Sequence, residues 1–234
     1  HNRRATMAST AAFLPLLALL LVATAHCSPL LPQRCPQADR QALLRVKQAL
    51  GSPATLKTWS PASADCCAWD HLTCNEAGRV NNVFIDGADD VRGQIPSALA
   101  GLTALMSLSL FRLPGLQGSI PACLTSLSKL EFLTVSHTNV SGSIPESLGE
   151  LGRLQDLIMW QNLLEGEIPA SLSSIPGLEH LILDYNGLTG SIPPELAKCK
   201  QLNWISLASN RLSGPIPPWL GKLSNLAILK LSNN

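Results

Sequence analysis

The dipeptide Ile-Pro recurs along this chain on a nearly fixed count, at Ile95, Ile120, Ile144, Ile168, Ile192 and Ile216, with intervals of 25, 24, 24, 24 and 24 residues. A glycine stands two residues before each isoleucine. Self-similarity at this period restricts the chain to stacked copies of one supersecondary unit. Each copy is too small to bury its own apolar side chains, so the copies must cover one another as a solenoid.

Within each period the pattern L-x-x-L-x-L precedes the Ile-Pro pair, as in Leu130/Leu133/Val135, Leu154/Leu157/Met159, Leu178/Leu181/Leu183 and Leu202/Ile205/Leu207. Alternation with period two predicts a short strand, and stacked strands form one continuous parallel sheet lining a concave face. Asn162, Asn186 and Asn210 follow three residues later. A buried amide offers both donors and acceptors, so these residues can satisfy turn backbone as a repeating ladder. The proline suits the start of a return segment on the convex side, where its missing N–H matters least. The 24-residue phrase L-x-x-L-x-L-x-x-N-x-L-x-G-x-I-P resembles the plant extracellular leucine-rich repeat. That resemblance implies an α/β repeat fold: a right-handed solenoid with a parallel sheet on its concave face and a disulfide-bonded helical cap at its N-terminal end.

Repeats begin near Val80, Leu105, Leu130, Leu154, Leu178, Leu202 and Leu226. Residues 80–234 thus read as six complete repeats and a seventh that stops within its phrase. Leu229 and Leu231 would lie on a terminal strand without a polar cap, and the chain reads as a fragment. Residues 26–79 read as the N-terminal cap, with Asp39 placed to cap a helix whose Leu43, Val46 and Leu50 share a face. Ahead of it, residues 7–25 carry a short apolar run, Ala11 to Val22, and an Ala-Thr-Ala cleavage site, the pattern of a secretory leader. Residues 1–6 precede the initiator. The run is too short for a membrane helix, so the expectation is a secreted chain without a membrane anchor of its own.

Without residues 1–25 the chain holds fifteen basic and sixteen acidic residues. No basic stripe for nucleic acid is visible, no kinase signature appears, and no cofactor is implied. Cys35, Cys66, Cys67 and Cys74 bracket the cap; adjacent cysteines behind a leader favour disulfides over zinc, with three pairings open by spacing. Cys123 and Cys199 lie three repeats apart, roughly 14 Å at one strand spacing per repeat, too far to bond. Cys199 is expected to be buried as a small apolar residue, and the fate of Cys27 depends on where the leader is cut.

Outward strand positions form columns on the concave face. One column reads Asn82, Ser107, Phe132, Asp156, His180 and Trp204; its neighbours hold Phe84, Phe111, Arg112, Ser136, His137, Trp160, Asp184 and Tyr185. Six of the ten aromatic residues sit at these positions although the repeat core needs none of them, which points to a protein partner. The plainer alternative is that the aromatics pack along the columns and shield the sheet. An enzyme would have to use His180 flanked by Asp156 and Asp184, but no Ser sits in a strained elbow to serve as nucleophile. A surface ion pair is the better reading of that trio, and His137 and His180 are too far apart to share a metal. Asn139-Val140-Ser141 is the one glycosylation sequon.

The phrases "CPQADRQALLRVKQAL", "WSPASADCCAWDHLTC", "RVNNVFIDG" and "VSHTNVSGSIPESL" resemble plant polygalacturonase-inhibiting proteins over about residues 35–148. "LGRLQDLIMWQNLLEGEIP", "LEHLILDYNGLTGSIPPEL", "LNWISLASNRLSGPIP" and "LAILKLSNN" are similar to the middle repeats of a cereal brassinosteroid-receptor ectodomain. The ladder changes at the same place, with Ala88, Leu113 and Thr138 at the Asn position before Gly149 and Asn162, Asn186, Asn210 and Asn234 after it, so the chain reads as a composite. The first resemblance implies the pairs Cys35–Cys66 and Cys67–Cys74. It also implies secretion to the apoplast or cell wall, where the chain would inhibit a fungal or insect polygalacturonase, as a monomer when capped. It places a contact histidine at His137 with an aromatic neighbour at Phe132, while Ile158 stands where many relatives are acidic. The second implies a receptor-ectodomain fragment acting as a recognition scaffold. No island of the kind that forms a steroid pocket is present. Ice binding, known in the wider family, would need flat ranks of one residue type, and these columns are mixed.

Overall fold

A computed structural model describes residues 35–234. The leader, residues 1–6 and Cys27 lie outside the described residues. One α-helix, α1 (Gln37–Ala49), opens the cap, and its Leu43 and Val46, with Leu50 just beyond, are fully buried. Pro36 precedes the helix with φ −58°, the value its ring imposes and the first turn requires. Asp39 is therefore the third helical residue and not the N-cap, which corrects the sequence expectation. Its carboxylate is used elsewhere. Arg79 donates to it through Nε and Nη2 at 2.9 Å each, and the Val80 N–H at 3.0 Å.

Cys35–Cys66 and Cys67–Cys74 are bonded, whereas Cys123 and Cys199 are free, with Cys199 buried. Trp59 and Trp69 of the cap stack at 6.1 Å, and the Trp59 indole N–H donates to the Asp70 carbonyl. The cap ends in β1 (Leu72–Cys74), which pairs antiparallel with β2 (Val80–Asp86), the first strand of the solenoid.

From β2 on, pairing in the main sheet is parallel. After the short β3 (Gly93–Gln94) come β4 (Ser107–Gly118), β5 (Phe132–Gly142), β6 (Asp156–Ile158), β7 (Leu163–Glu167), β8 (His180–Ile182), β9 (Gly187–Thr189), β10 (Trp204–Ser206) and β11 (Ile228–Lys230). The main sheet runs β1-β2-β4-β5-β6-β8-β10-β11, and β3, β7 and β9 form short ladders beside it. Leu108, Leu133, Leu157, Leu181 and Ile205 stack in one inward line, all fully buried. On the convex side Pro96, Pro121, Pro145, Pro169, Pro193 and Pro217 each precede a five-residue 3-10 turn whose leucine fills the layer. The return segments are thus 3-10 turns rather than α-helices.

The asparagine ladder forms as expected. Asn186 donates from Nδ2 to the Met159 and Leu183 carbonyls and accepts the Leu164 N–H; Asn210 repeats the pattern with Leu183, Leu207 and Leu188. Each amide thereby joins its own turn to that of the preceding repeat. Where Leu113 and Thr138 hold the ladder position, strands run through it, and β4 and β5 reach 12 and 11 residues. At Asn162 and Asn186 the amide intervenes and each repeat carries two short strands. Register continues past Gly149, with Phe132 opposite Asp156, and a Cβ at buried Gly149 would collide with the Ser171 carbonyl. At the last strand Ile228 and Leu229 are exposed and Leu231 is half-buried.

Candidate protein-binding face

Strand register assembles the expected columns. Asn82, Ser107, Phe132, Asp156, His180, Trp204 and Ile228 are successive partners across the sheet, and so are Phe84, Ser109, Thr134, Ile158, Ile182, Ser206 and Lys230. Side chains along one column stand about one strand spacing, ~4.8 Å, apart.

A left-handed turn of the backbone recurs at Arg112, His137, Gln161, Tyr185, Ser209 and Asn233, with φ between 52° and 58°, within β4 and β5 and past the ends of the shorter strands. Gly87 holds the equivalent position in the first repeat at φ 64°. Such a conformation is costly for side chains other than glycine and persists only where surrounding bonds enforce it. Here the next repeat does so: the His137 N–H donates to the Trp160 carbonyl, Gln161 to Asp184, and Tyr185 to Ala208. Three of the expected contact residues, Arg112, His137 and Tyr185, are carried on this enforced turn.

Phe111, His137 and Trp160 form one cluster. The His137 ring lies edge-on to both, 5.1 Å from Phe111 and 4.0 Å from Trp160 between centroids. Phe111 and Trp160 belong to repeats two strands apart, nominally ~10 Å, yet their centroids are 6.3 Å apart. They lean together over Ser136, which sits between them in the column. Ser136 is consequently fully buried, its hydroxyl donating to the Ile158 carbonyl, and it is not a contact residue as the sequence suggested. Arg112 forks onto Asp86, Nε to Oδ1 at 2.7 Å and Nη2 to Oδ2 at 2.6 Å, and lies 5.2 Å above the Phe111 ring. The paired guanidinium holds the Asp86 carboxyl below the usual range.

Phe84, Phe132 and Tyr185 are different. They are 48 %, 38 % and 58 % exposed, and none stacks on another aromatic ring. Packing along columns therefore accounts for Phe111 and Trp160 but not for these three.

His180 Nδ1 lies 2.7 Å from Asp156 Oδ1, the pairing expected from the column, and its ring is edge-on to Trp204 at 6.1 Å. Burial pushes the Asp156 carboxyl up despite the adjacent imidazole. Asp184 does not flank His180. It is buried, with Oδ1 accepting from the Ser206 hydroxyl at 2.6 Å and the Ala208 N–H at 3.0 Å, a second correction. Asn139 is exposed within β5, with Nδ2 donating to the Pro114 carbonyl. Among the described residues no group of three or more potential ligands could hold a metal, and no helix is long and apolar enough to cross a membrane.

Two residues of this face escaped the sequence reading. Asp86 shares a column with Phe111, and Lys230 closes the column of Phe84; extending the column count by one repeat in each direction finds both.

Comparison with known proteins agrees with this architecture. A leucine rich repeat N-terminal domain matches residues 36–75, and the leucine rich repeat matches residues 129–151, 177–199 and 201–223. Polygalacturonase inhibitor 1 of Oryza sativa subsp. japonica is 73% identical over 134 residues, 57% of this chain; the chain spans 40% of that relative's length. The crystal structure of a plant ice-binding protein is 32% identical with a TM-score of 0.72, covering 86% of this chain and 73% of that one. The Arabidopsis receptor kinase HAESA, in complex with the peptide hormone IDA and the co-receptor SERK1, is 32% identical with a TM-score of 0.79, covering 85% of this chain and 34% of that one.

Proposed function

Because the chain belongs to the plant extracellular leucine-rich-repeat proteins, we propose that it is a secreted defence protein of the apoplast that binds a fungal or insect endopolygalacturonase through its concave face and inhibits it. The observation that carries the reading is the set of exposed, unstacked aromatics on that face, Phe84, Phe132 and Tyr185, beside the fixed His137 cluster. Identity to the rice inhibitor supports the choice of partner class.

The chemistry is that of occlusion. Rigid aromatic side chains on a preformed sheet lose little conformational freedom on binding, and their burial against a partner excludes water from the contact. The charged Asp86–Arg112 pair and the polar Asp156–His180 contact fix orientation at the rim more than they add affinity. A partner held across the curvature has its cleft covered, and no bond in it need be made or broken. In this reading residues 26–79 serve as the cap and residues 80–234 as the binding array. Asn139 is the glycan acceptor, and modification would leave its Nδ2 a single N–H for the Pro114 carbonyl.

A second reading, a receptor-ectodomain scaffold without inhibitory activity, is favoured by the likeness to receptor kinases and by the asparagine ladder that begins only at Asn162. Ice binding finds less support, since the column from Asn82 to Ile228 mixes amide, hydroxyl, aromatic, charged and aliphatic groups. The deciding experiment measures complex formation and inhibition with a panel of fungal and insect endopolygalacturonases. Binding with inhibition supports the first reading; a folded chain that binds none of them moves the assignment to the second.

A further inference from the structure

Towards the C-terminal end of the concave face a hollow of about 510 Å³ is floored by Ile158 and Ile182 and walled by Trp160 and Trp204. That volume falls within the ~300–1,000 Å³ of ordinary ligand sites. Two charges border it. Lys230 shares the column of the floor residues, and its ammonium lies 5.6 Å from the Trp204 ring centroid. No carboxylate pairs with it among the described residues. Asp184 faces the hollow from two strands away, roughly 10 Å, and its Oδ1 is already engaged by Ser206 and Ala208.

An unpaired ammonium beside an apolar floor complements a group that is itself apolar and anionic. The Asp184 carboxyl on one side and the Lys230 ammonium on the other give the occupant a direction. We propose that this hollow anchors one large aliphatic or aromatic side chain of a polypeptide partner, with an adjoining carboxylate directed to Lys230 and away from Asp184. The side chain fills the space between the two indoles, where displaced water is in contact with apolar surface on most sides. The inference goes beyond the polygalacturonase reading, because it holds for any polypeptide with that chemistry.

The test uses the whole chain, labelled with nitrogen-15, and two probes, N-acetyl-leucine and the uncharged N-acetyl-leucinamide. The indole N–H resonances of Trp160 and Trp204 should shift saturably with both, while that of Trp59 in the cap stays fixed. N-acetyl-leucine should bind roughly two- to fivefold more tightly, the range of an exposed ion pair. Lys230→Met should abolish that preference and leave amide binding intact, whereas Ile182→Asp should weaken both probes. Absence of saturable shifts at Trp160 and Trp204 overturns the site. Equal binding of the two probes, or a preference that survives Lys230→Met, overturns the role given to Lys230. Because no enzyme enters this experiment, its failure is separate from a failure of polygalacturonase inhibition.

Discussion

Arg79 forks onto Asp39 across 40 residues of sequence, and the same buried carboxylate accepts the Val80 N–H that begins the first solenoid strand. One side chain thus joins the cap helix to the repeats. Asp39→Ala leaves the Val80 N–H and the guanidinium without their acceptor. The expected loss is about 2–4 kcal/mol, below the cost of breaking a fully buried pair because Arg79 is one-third exposed. Urea denaturation of the parent and the variant measures it, and a loss under ~0.5 kcal/mol would mean that the Asp39 carboxylate contributes little to the junction of cap and repeats.

The asparagine ladder makes a sharper comparison between neighbouring repeats. Asn186 makes four bonds to turn backbone, and Asn186→Ala should cost roughly 2–3 kcal/mol, since the abandoned carbonyls and N–H lie in a packed turn. Leu163, 58 % exposed at the start of β7, is the control, and Leu163→Ala should change stability by less than about 0.5 kcal/mol. Thermal melts of both variants at one pH suffice. Equal melting temperatures for the two would contradict a structural role for the ladder.

Acid behaviour follows from Asp156. Its carboxyl is raised above the ordinary 3.8, mainly by burial, with His180 opposing. A carboxyl raised in the folded state makes that state bind more protons than the unfolded chain above pH 3.8. Stability from this group is therefore present at low pH and is lost as pH rises through the folded-state value. Asp156→Asn removes the dependence. Plotted against pH, the urea midpoint of the parent should fall relative to that of the variant from about pH 4 towards neutrality; a relative rise would mean that attraction to His180 outweighs desolvation.

The repeating architecture was legible because period, alternation and the ladder asparagines all specify the same strand positions. The columns could be written down by adding 24 or 25, and register bears them out from Asn82 to Trp204. Cysteine pairing came from family likeness, since spacing left three choices. What could not be read depends on contacts between columns. Ser136 occupies an outward position yet is buried, because Phe111 and Trp160 close above it. Asp184 is outward by count but is drawn down by Ser206 and Ala208. The left-handed backbone of Arg112, His137 and Tyr185 has no glycine to announce it; at His137 and Tyr185 it is held by carbonyls in the next repeat. Asp39 resembled a helix cap because its true partner, Arg79, lies 40 residues away.

The same distinction separates residues that touch a partner from residues that support them. Phe84 and Phe132 are exposed and unstacked, so their removal should weaken binding to a polygalacturonase without changing the free protein. An interface anchor of this kind is worth on the order of 2 kcal/mol, a roughly thirtyfold loss of affinity. Phe111→Ala should act differently, because Phe111 packs on His137 and lies under Arg112. It should lower stability by about 1–3 kcal/mol as a half-buried ring and weaken binding by loosening the His137 ring. Ser136→Ala, being covered, should leave affinity within a factor of about two, and so should the convex control Lys222→Ala. Binding constants and melting temperatures measured on this set together decide the point. If Phe84→Ala and Phe132→Ala bind like Lys222→Ala while the enzyme is still inhibited, the contact surface lies off the concave face.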